Sequence, residues 1–420
     1  MQKLVIEGGA PLRGEVRIAG AKNAVLKLMA AAALTEAPVT LHNVPKISDV
    51  TIMRETMSDI GFDVRRVNGA TLTIEAREAK WLFIPLEAAI KIRASFMLLG
   101  PLLTRFGRII IPNPGGDRIG RRPVDFHVAA MEALGAEIEY KNGYYFASAP
   151  DGLRGARIHF PSVTVMGTEN AVLAATLARG TTVIENAARE PEVDDLIAML
   201  GSMGARIERT APATLEVEGV ERLGGAEHAV IGDRLEAATF AIAAAVTGGS
   251  VRLVGVDPAH LDSFLEVADR MGVPHSHTDG ALVVGSAASY RPTDVETAPY
   301  PGFATDYQAP LAVLMTQADG VSMLHETIYE DRLDYARELI KMGAMIELLD
   351  ERRARIAGRT PLHGREVAIA DLRAGATLIL AALSATDTSV ISGVEHVDRG
   401  YEQIESKLVA LGAQIHRIDA

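Results

Sequence analysis

A chain of 420 residues, 48% hydrophobic and 23% charged, is too long for one ordinary core and too apolar to stay disordered, so two domains are expected. Its net charge of −12 argues against general binding to nucleic acid or to a membrane surface, and an anionic ligand would need a local arginine cluster working against the global field. With no cysteine, disulfides, thiolate zinc sites, iron–sulfur clusters and cysteine nucleophiles are excluded.

The first residues, "MQKLVIEGG", contain no apolar signal-peptide core, and the longest apolar run, Met29–Leu34, is far short of a membrane span. A cytoplasmic location is therefore the expectation. The next stretch, "IAGAKNAVLKLMAAAAL", predicts a helix with Lys22 and Asn23 at its start and Asn23 as its N-cap. A lysine at the positive end of a helix is locally unfavourable unless an anion sits there, held by the amides and the ammonium. The plainer reading is a solvated surface lysine.

Further along, a segment of the form apolar-Gly-small-x-apolar recurs as "IGFDV", "LGAEI", "MGARI", "MGVPH", "MGAMI" and "LGAQI". The glycines are Gly61, Gly135, Gly204, Gly272, Gly343 and Gly412, at intervals of 68 to 74 residues. Each follows a helical pattern. In "EVDDLIAMLGSMGA", Val193, Leu196, Ile197 and Leu200 share one face, and the glycine is a left-handed stop before a strand such as "ARIERT". A second recurring piece is an alanine-rich helix, a small turn and a strand, as in "LAATLARGTTVIENAA", "IAAAVTGGSVRLVGVD", "LAVLMTQADGVSMLHE" and "LAALSATDTSVISGVE". The first helix of each unit is apolar on nearly all sides and should be buried, and the second keeps a polar outer face. The expected fold class is α/β, with six units of about seventy residues in two barrel-like globes of three units each, buried helices surrounded by sheet.

Between the first and second elements of this series lies "IPNPGGDRIGRRPVDFH", Ile111–His127, with Asp117 at a glycine turn followed by Arg118, Arg121 and Arg122. It matches neither G-x-G-x-x-G nor the Walker pattern. Its glycines permit unusual backbone angles, and Pro114 and Pro123 bracket a piece that could close over a ligand, although a mixed-charge solvent loop is the plainer reading. Arg93 in "KIRASF", Arg332 in "YEDRLD", Arg373 in "ADLRAGA" and Arg399 in "HVDRGYE" sit beside element ends. The last three follow an acid closely, so a surface ion pair is the local alternative. Asp306 lies in the turn "PGFATDYQAP" before an apolar helix. His275 and His277 have no third ligand in view, so no metal is expected, and no organic cofactor is indicated.

Taken together, "GAKNA" (20–24), "IRAS" (92–95), "PGG-x-x-IG-x-RPVD-x-H" (114–127), "GTTVIENAAREPE" (180–192), "EGVERLGG" (218–225), "DR-x-E" (233–236), "TD-x-QA" (305–309), "DLRA" (371–374) and "VDRGYE" (397–402) closely resemble the enolpyruvyl transferases, specifically those acting on a UDP-sugar. The resemblance covers nearly the whole chain. It implies two inside-out α/β globes, the first formed by residues 1–21 and 231–420, the second by 22–230 and carrying a lid loop at 113–123. It implies transfer of the enolpyruvyl group of phosphoenolpyruvate to the 3-hydroxyl of UDP-N-acetylglucosamine, by addition and elimination, as the first committed step of peptidoglycan synthesis. A related acceptor, or a non-catalytic UDP-sugar-binding paralogue, is the alternative.

By match to the family's motifs, Asp306 is the base, Asp117 the proton donor, and Lys22 and Arg399 further catalytic groups. Lys22, Arg93, Arg122, Arg332, Arg373 and Arg399 are the cations around a carboxylate and a phosphate. Asn23, Arg122, Pro123, Val124, Asp125, Phe126, His127, Ser162, Val163, Thr164, Val165 and Ile328 fall on the UDP-sugar segments. Most of the family has a cysteine where this chain has Asp117, and that cysteine is what fosfomycin alkylates. A carboxyl group can deliver a proton but is a much poorer nucleophile than a thiolate, so the resemblance implies activity together with fosfomycin resistance. Met97 stands where an aromatic residue is common, and Lys27 where a proline is frequent.

Overall fold

A computed structural model describes residues 2–117 and 119–419. Arg118, one of the loop arginines singled out above, lies outside the described residues. The chain divides into two compact units. Unit one is Met1–Ala19, Asp117–Arg121 and Gly232–Ala420, and unit two is Gly20–Gly116 with Arg122–Ile231. The tip of the 113–123 loop thus groups with unit one, where the sequence expectation had the whole loop in the other globe.

One repeat shows how the sequence pattern becomes structure. Strand Arg157–His159 leads into helix Val165–Ala175, and strand Thr181–Glu185 returns parallel to the first. Helix Pro191–Ser202 follows, and a hairpin of Arg206–Ala211 and Thr214–Glu218 completes a four-stranded sheet. Thr182 and Ile184 alternate inward beside Leu215 and Val217, the period expected of a sheet with one buried face. The first helix is buried along nearly its whole length because small side chains dominate it, whereas Pro191–Ser202 keeps Asp194 in solvent and buries Val193, Leu196 and Leu200, with Ile197 partly covered.

The plan recurs six times, except that the sheet of Arg108–Pro112, Glu137–Lys141 and Tyr144–Ser148 has three described strands. In unit two the buried helices are Lys22–Ala32, Leu99–Phe106 (entered through a 3-10 turn, Arg93–Leu98) and Val165–Ala175. In unit one they are Arg234–Val246, Thr305–Met315 and Leu372–Ser384. Each unit has its own apolar core built on these helices. All six motif glycines have φ between 83° and 114°, so the left-handed stop holds at every copy, including "MGVPH", where His275 replaces the final apolar residue.

Among the described residues each unit has three sheets, and these do not join into a closed barrel. Some strands come from distant chain. Gln2–Glu7 lies between Thr388–Ser392 and Gln414–Asp419, antiparallel to both. Arg13–Arg17 runs parallel to Ser250–Val254, and Ala226–Ala229 parallel to Val39–His42. These pairings stitch the discontinuous segments of each unit together.

Candidate active site

In unit one the three buried helices begin with polar residues. Asp233 and Asp371 are N-caps: Asp233 accepts from the amides of Leu235 (2.8 Å) and Glu236 (3.1 Å), and Asp371 from those of Arg373 (2.9 Å) and Ala374 (3.1 Å). The third helix has no side-chain cap and carries Asp306 in its first turn. Arg332 donates to one Asp306 oxygen, and Arg373 Nη2 lies 3.4 Å from the other. The two guanidinium side chains are only 4% and 5% exposed. These are therefore not the exposed ion pairs that the local sequence suggested.

Buried cations need compensation. Arg373 receives it from Asp306 and from Tyr401, whose hydroxyl accepts at 2.9 Å and whose ring centroid lies 5.4 Å away. Burial alone would lower the Arg373 pKa, but Tyr401, Asp306 and Asp233 outweigh it and the net shift is upward, so the group stays charged. The Nε donors of Arg332 and Arg373 have no hydrogen-bond partner among the described residues.

Arg399 ends the 3-10 turn Val394–Arg399 and donates to Asp117, the two side chains being 16% and 15% exposed. In the same loop as Asp117, the Arg121 amide donates to Glu330 at 2.8 Å. Ile328 donates its amide to Glu326 at 2.7 Å. Glu326 is fully buried and also accepts from Tyr329 N (3.1 Å), Thr297 Oγ1 (3.0 Å) and Thr305 Oγ1 (2.7 Å). One carboxylate thus ties the Ile328 turn to the helix start that carries Asp306. Neither Glu326 nor Tyr401 was among the residues expected from sequence, although Tyr401 lies inside the "VDRGYE" motif.

In unit two Lys22 is the first residue of its helix, and Ala21, not Asn23, is the N-cap. Asn23 lies two positions past the cap, inside the helix, so its capping role is not observed. Lys22 Nζ pairs with Asp49 Oδ2 at 2.9 Å, with side chains 10% and 3% exposed, which offsets the lysine's conflict with the helix dipole. Arg93 donates to the carbonyls of Arg122 and, at 3.1 Å, Pro123, fixing the approach to helix Asp125–Ala133. Val124 is its buried N-cap, Asp125 is exposed, and Phe126 packs against Phe160 with ring centroids 6.0 Å apart.

His127 is buried, and its Nδ1 lies 3.0 Å from Asn170 Nδ2. With the amide donating, the proton of the neutral ring sits on Nε2. Burial, with a smaller contribution from Arg93, pushes its pKa down to about 3. The imidazole is thus a neutral core group. Ser162 is exposed, Val163 and Val165 are partly buried, and Thr164 caps helix Val165–Ala175 by accepting from the Gly167 amide at 3.3 Å. The loop stem is held where the Gly115 amide donates to Ala89 O at 3.0 Å.

The structure therefore joins Asp306 with Arg332 and Arg373, Asp117 with Arg399, and Arg93 with the 122–123 backbone. Lys22 instead meets Asp49, and the 162–165 turn is formed by its own cap. His275 pairs with Asp269 at 2.9 Å, and among the described residues no three His, Asp or Glu side chains gather as a metal site. Among them, too, no helix is long and apolar enough to cross a membrane.

The sequence profile of EPSP synthase (3-phosphoshikimate 1-carboxyvinyltransferase) matches residues 6–408. UDP-N-acetylglucosamine 1-carboxyvinyltransferase of Solibacter usitatus is 46% identical with full coverage of both chains, and that of Koribacter versatilis is 46% identical over all of this chain and 97% of its own. Among solved structures, the enolpyruvyl transferase NikO from Streptomyces tendae matches with a TM-score of 0.88 at 26% identity, covering 100% of this chain and 99% of its own. EPSP synthase from Acinetobacter baumannii shares the fold, with a TM-score of 0.79 at 18% identity and full coverage of both chains.

Proposed function

We propose, from the premise that the chain belongs to the EPSP synthase family of enolpyruvyl transferases, a reaction in which each charged group described above has a task. The chain transfers the enolpyruvyl group of phosphoenolpyruvate to the 3-hydroxyl of UDP-N-acetylglucosamine, releases phosphate, and so feeds peptidoglycan synthesis. In our reading it works in the cytoplasm, where phosphoenolpyruvate is supplied.

Chemically, the sugar hydroxyl must lose its proton as its oxygen bonds to C2 of phosphoenolpyruvate, while C3 gains a proton and becomes a methyl group. The tetrahedral adduct then loses a proton from that methyl group as the C2–O bond to phosphate breaks. We assign the hydroxyl proton to Asp306 and the C3 proton to Asp117. Arg332, Arg373, Arg399, Lys22, Arg93 and Arg122 hold the carboxylate and phosphate, because fixed guanidinium donors stabilise developing negative charge without reorganising. Asn23, the 123–127 segment, the 162–165 turn and Ile328 receive the UDP-sugar. The observation that carries this reading is the placement of Asp306 at a helix start, its two oxygens facing two nearly inaccessible guanidiniums. Phosphate release from phosphoenolpyruvate, measured with and without UDP-N-acetylglucosamine, tests it. Release only with the sugar is expected, and no release under either condition overturns it.

A further inference from the structure

Lys27 and Glu169 are buried charges that the reaction above leaves unused. Lys27 is 5% exposed and Glu169 is fully inaccessible. The lysine side chain runs back along its own helix and donates to Asn23 O, as long helical side chains lean toward the N-terminus. Its ammonium therefore sits level with the turn that carries Lys22 and Asn23. From the other side it lies 3.4 Å from Glu169 Oε2, on the helix that Thr164 caps. Beyond that ammonium neither Glu169 oxygen has a partner among the described residues. Both helices pack on Pro191–Ser202, and the carboxylates of Glu190 and Glu192 at its start also act on Glu169. Burial pushes Glu169 up to about 7, while Lys27 pulls the other way.

A buried pair of this kind is weak evidence for stability, since apolar side chains of similar size often serve as well or better. What the pair does provide is a directional link between two helix starts. We propose that Lys27 and Glu169 are positioning residues that set the Asn23 turn and the 162–165 turn relative to each other for the UDP-sugar, a role that rests on the functional reading above. The link passes through one carbonyl, one ammonium and one carboxylate, so it fixes spacing and rotation in a way that apolar packing would not.

The test is a double-variant comparison using steady-state kinetics and thermal melting of the full chain. Lys27→Met alone strands the carboxylate and is expected to melt early. Lys27→Met combined with Glu169→Leu removes both charges and should recover most of the melting temperature. It should nonetheless keep a KM for UDP-N-acetylglucosamine raised about tenfold, with kcat and the KM for phosphoenolpyruvate within about twofold of wild type. Lys27→Arg, which retains the cation, should restore the sugar KM. A double variant with wild-type sugar KM, or one in which both substrates suffer equally, overturns the positioning role. A wild-type chain that releases no phosphate overturns the functional reading itself. In that case calorimetric binding of UDP-N-acetylglucosamine still decides the pair, because equal affinity in wild type and double variant refutes it.

Discussion

Replacing Asp306 by Asn separates two effects that most active-site substitutions confound. The carboxylate stands between Arg332 and Arg373, with Arg373 at 3.4 Å and both guanidinium side chains about 95% covered. At an effective dielectric of ~20, a unit charge pair at that distance interacts by ~5 kcal/mol. Asp306 is itself 24% exposed, and the amide oxygen of Asn keeps part of the hydrogen bonding, so a net change of ~1–2 kcal/mol is reasonable. That change is felt by any anion competing for the same guanidiniums. Phosphoenolpyruvate should therefore bind Asp306→Asn about tenfold more tightly, since 1.4 kcal/mol is one decade. Turnover should fall by a factor of about 10²–10⁴, the usual loss for a general base. Phosphate-release kinetics give the turnover, and fluorescence or calorimetric titration gives the affinity. A kcat within threefold of wild type refutes the base assignment, and a tenfold weakening of phosphoenolpyruvate binding refutes the electrostatic argument.

Three further outcomes are expected. With a folded pKa of about 3 against an ordinary ~6.5, His127 keeps the native state from taking up a proton that the unfolded chain accepts. Stability tied to this group is complete above pH ~6.5 and declines as pH falls toward 3, by ~2 kcal/mol at pH 5. Denaturation midpoints at pH 7 and pH 5 should therefore converge for wild type and His127→Gln, and parallel shifts would contradict the cause given. Asp117→Cys should remain active and become inactivated by fosfomycin in a time-dependent manner, with label at position 117, whereas wild type should resist; rapid inactivation of wild type would count against Asp117 as a poor nucleophile. Gly115→Ala would set a methyl group against the Ile90 carbonyl, so the loop stem must shift, at a cost of ~1–3 kcal/mol. We expect kcat to drop at least tenfold, and a wild-type kcat would show that the stem geometry is immaterial.

The repeat was legible because it is local. A left-handed glycine after an amphipathic helix, and an alanine-rich helix before a strand, leave marks within about fifteen residues. The strands Gln2–Glu7, Arg13–Arg17 and Ala226–Ala229 left no such mark, since their partners are set by register across hundreds of residues and not by their own alternation. Local reading also misjudged Arg332 and Arg373. An acid close in sequence suggests a surface pair, but their burial depends on the three helix starts of unit one, which only the tertiary structure shows. Asn23 has the right chemistry for a cap, yet the helix begins two residues too early for it. Glu326 was missed because a lone acid at a strand end carries no signal until its four donors are in place.

The borrowed strands impose an order on synthesis. As the polypeptide leaves the ribosome, Gln2–Glu7 and Arg13–Arg17 emerge well before their partners. Ser250–Val254, Thr388–Ser392 and Gln414–Asp419 follow only after more than two hundred residues have been made. Unit two has all its described strands once Ala226–Ala229 is out, so it can settle co-translationally while the earliest strands wait as exposed edges. Unit one can be finished only once Gln414–Asp419 is out. A nascent chain stalled once Ala226–Ala229 has cleared the ribosome should therefore carry a protease-resistant half and a sticky early segment, the species most in need of a chaperone.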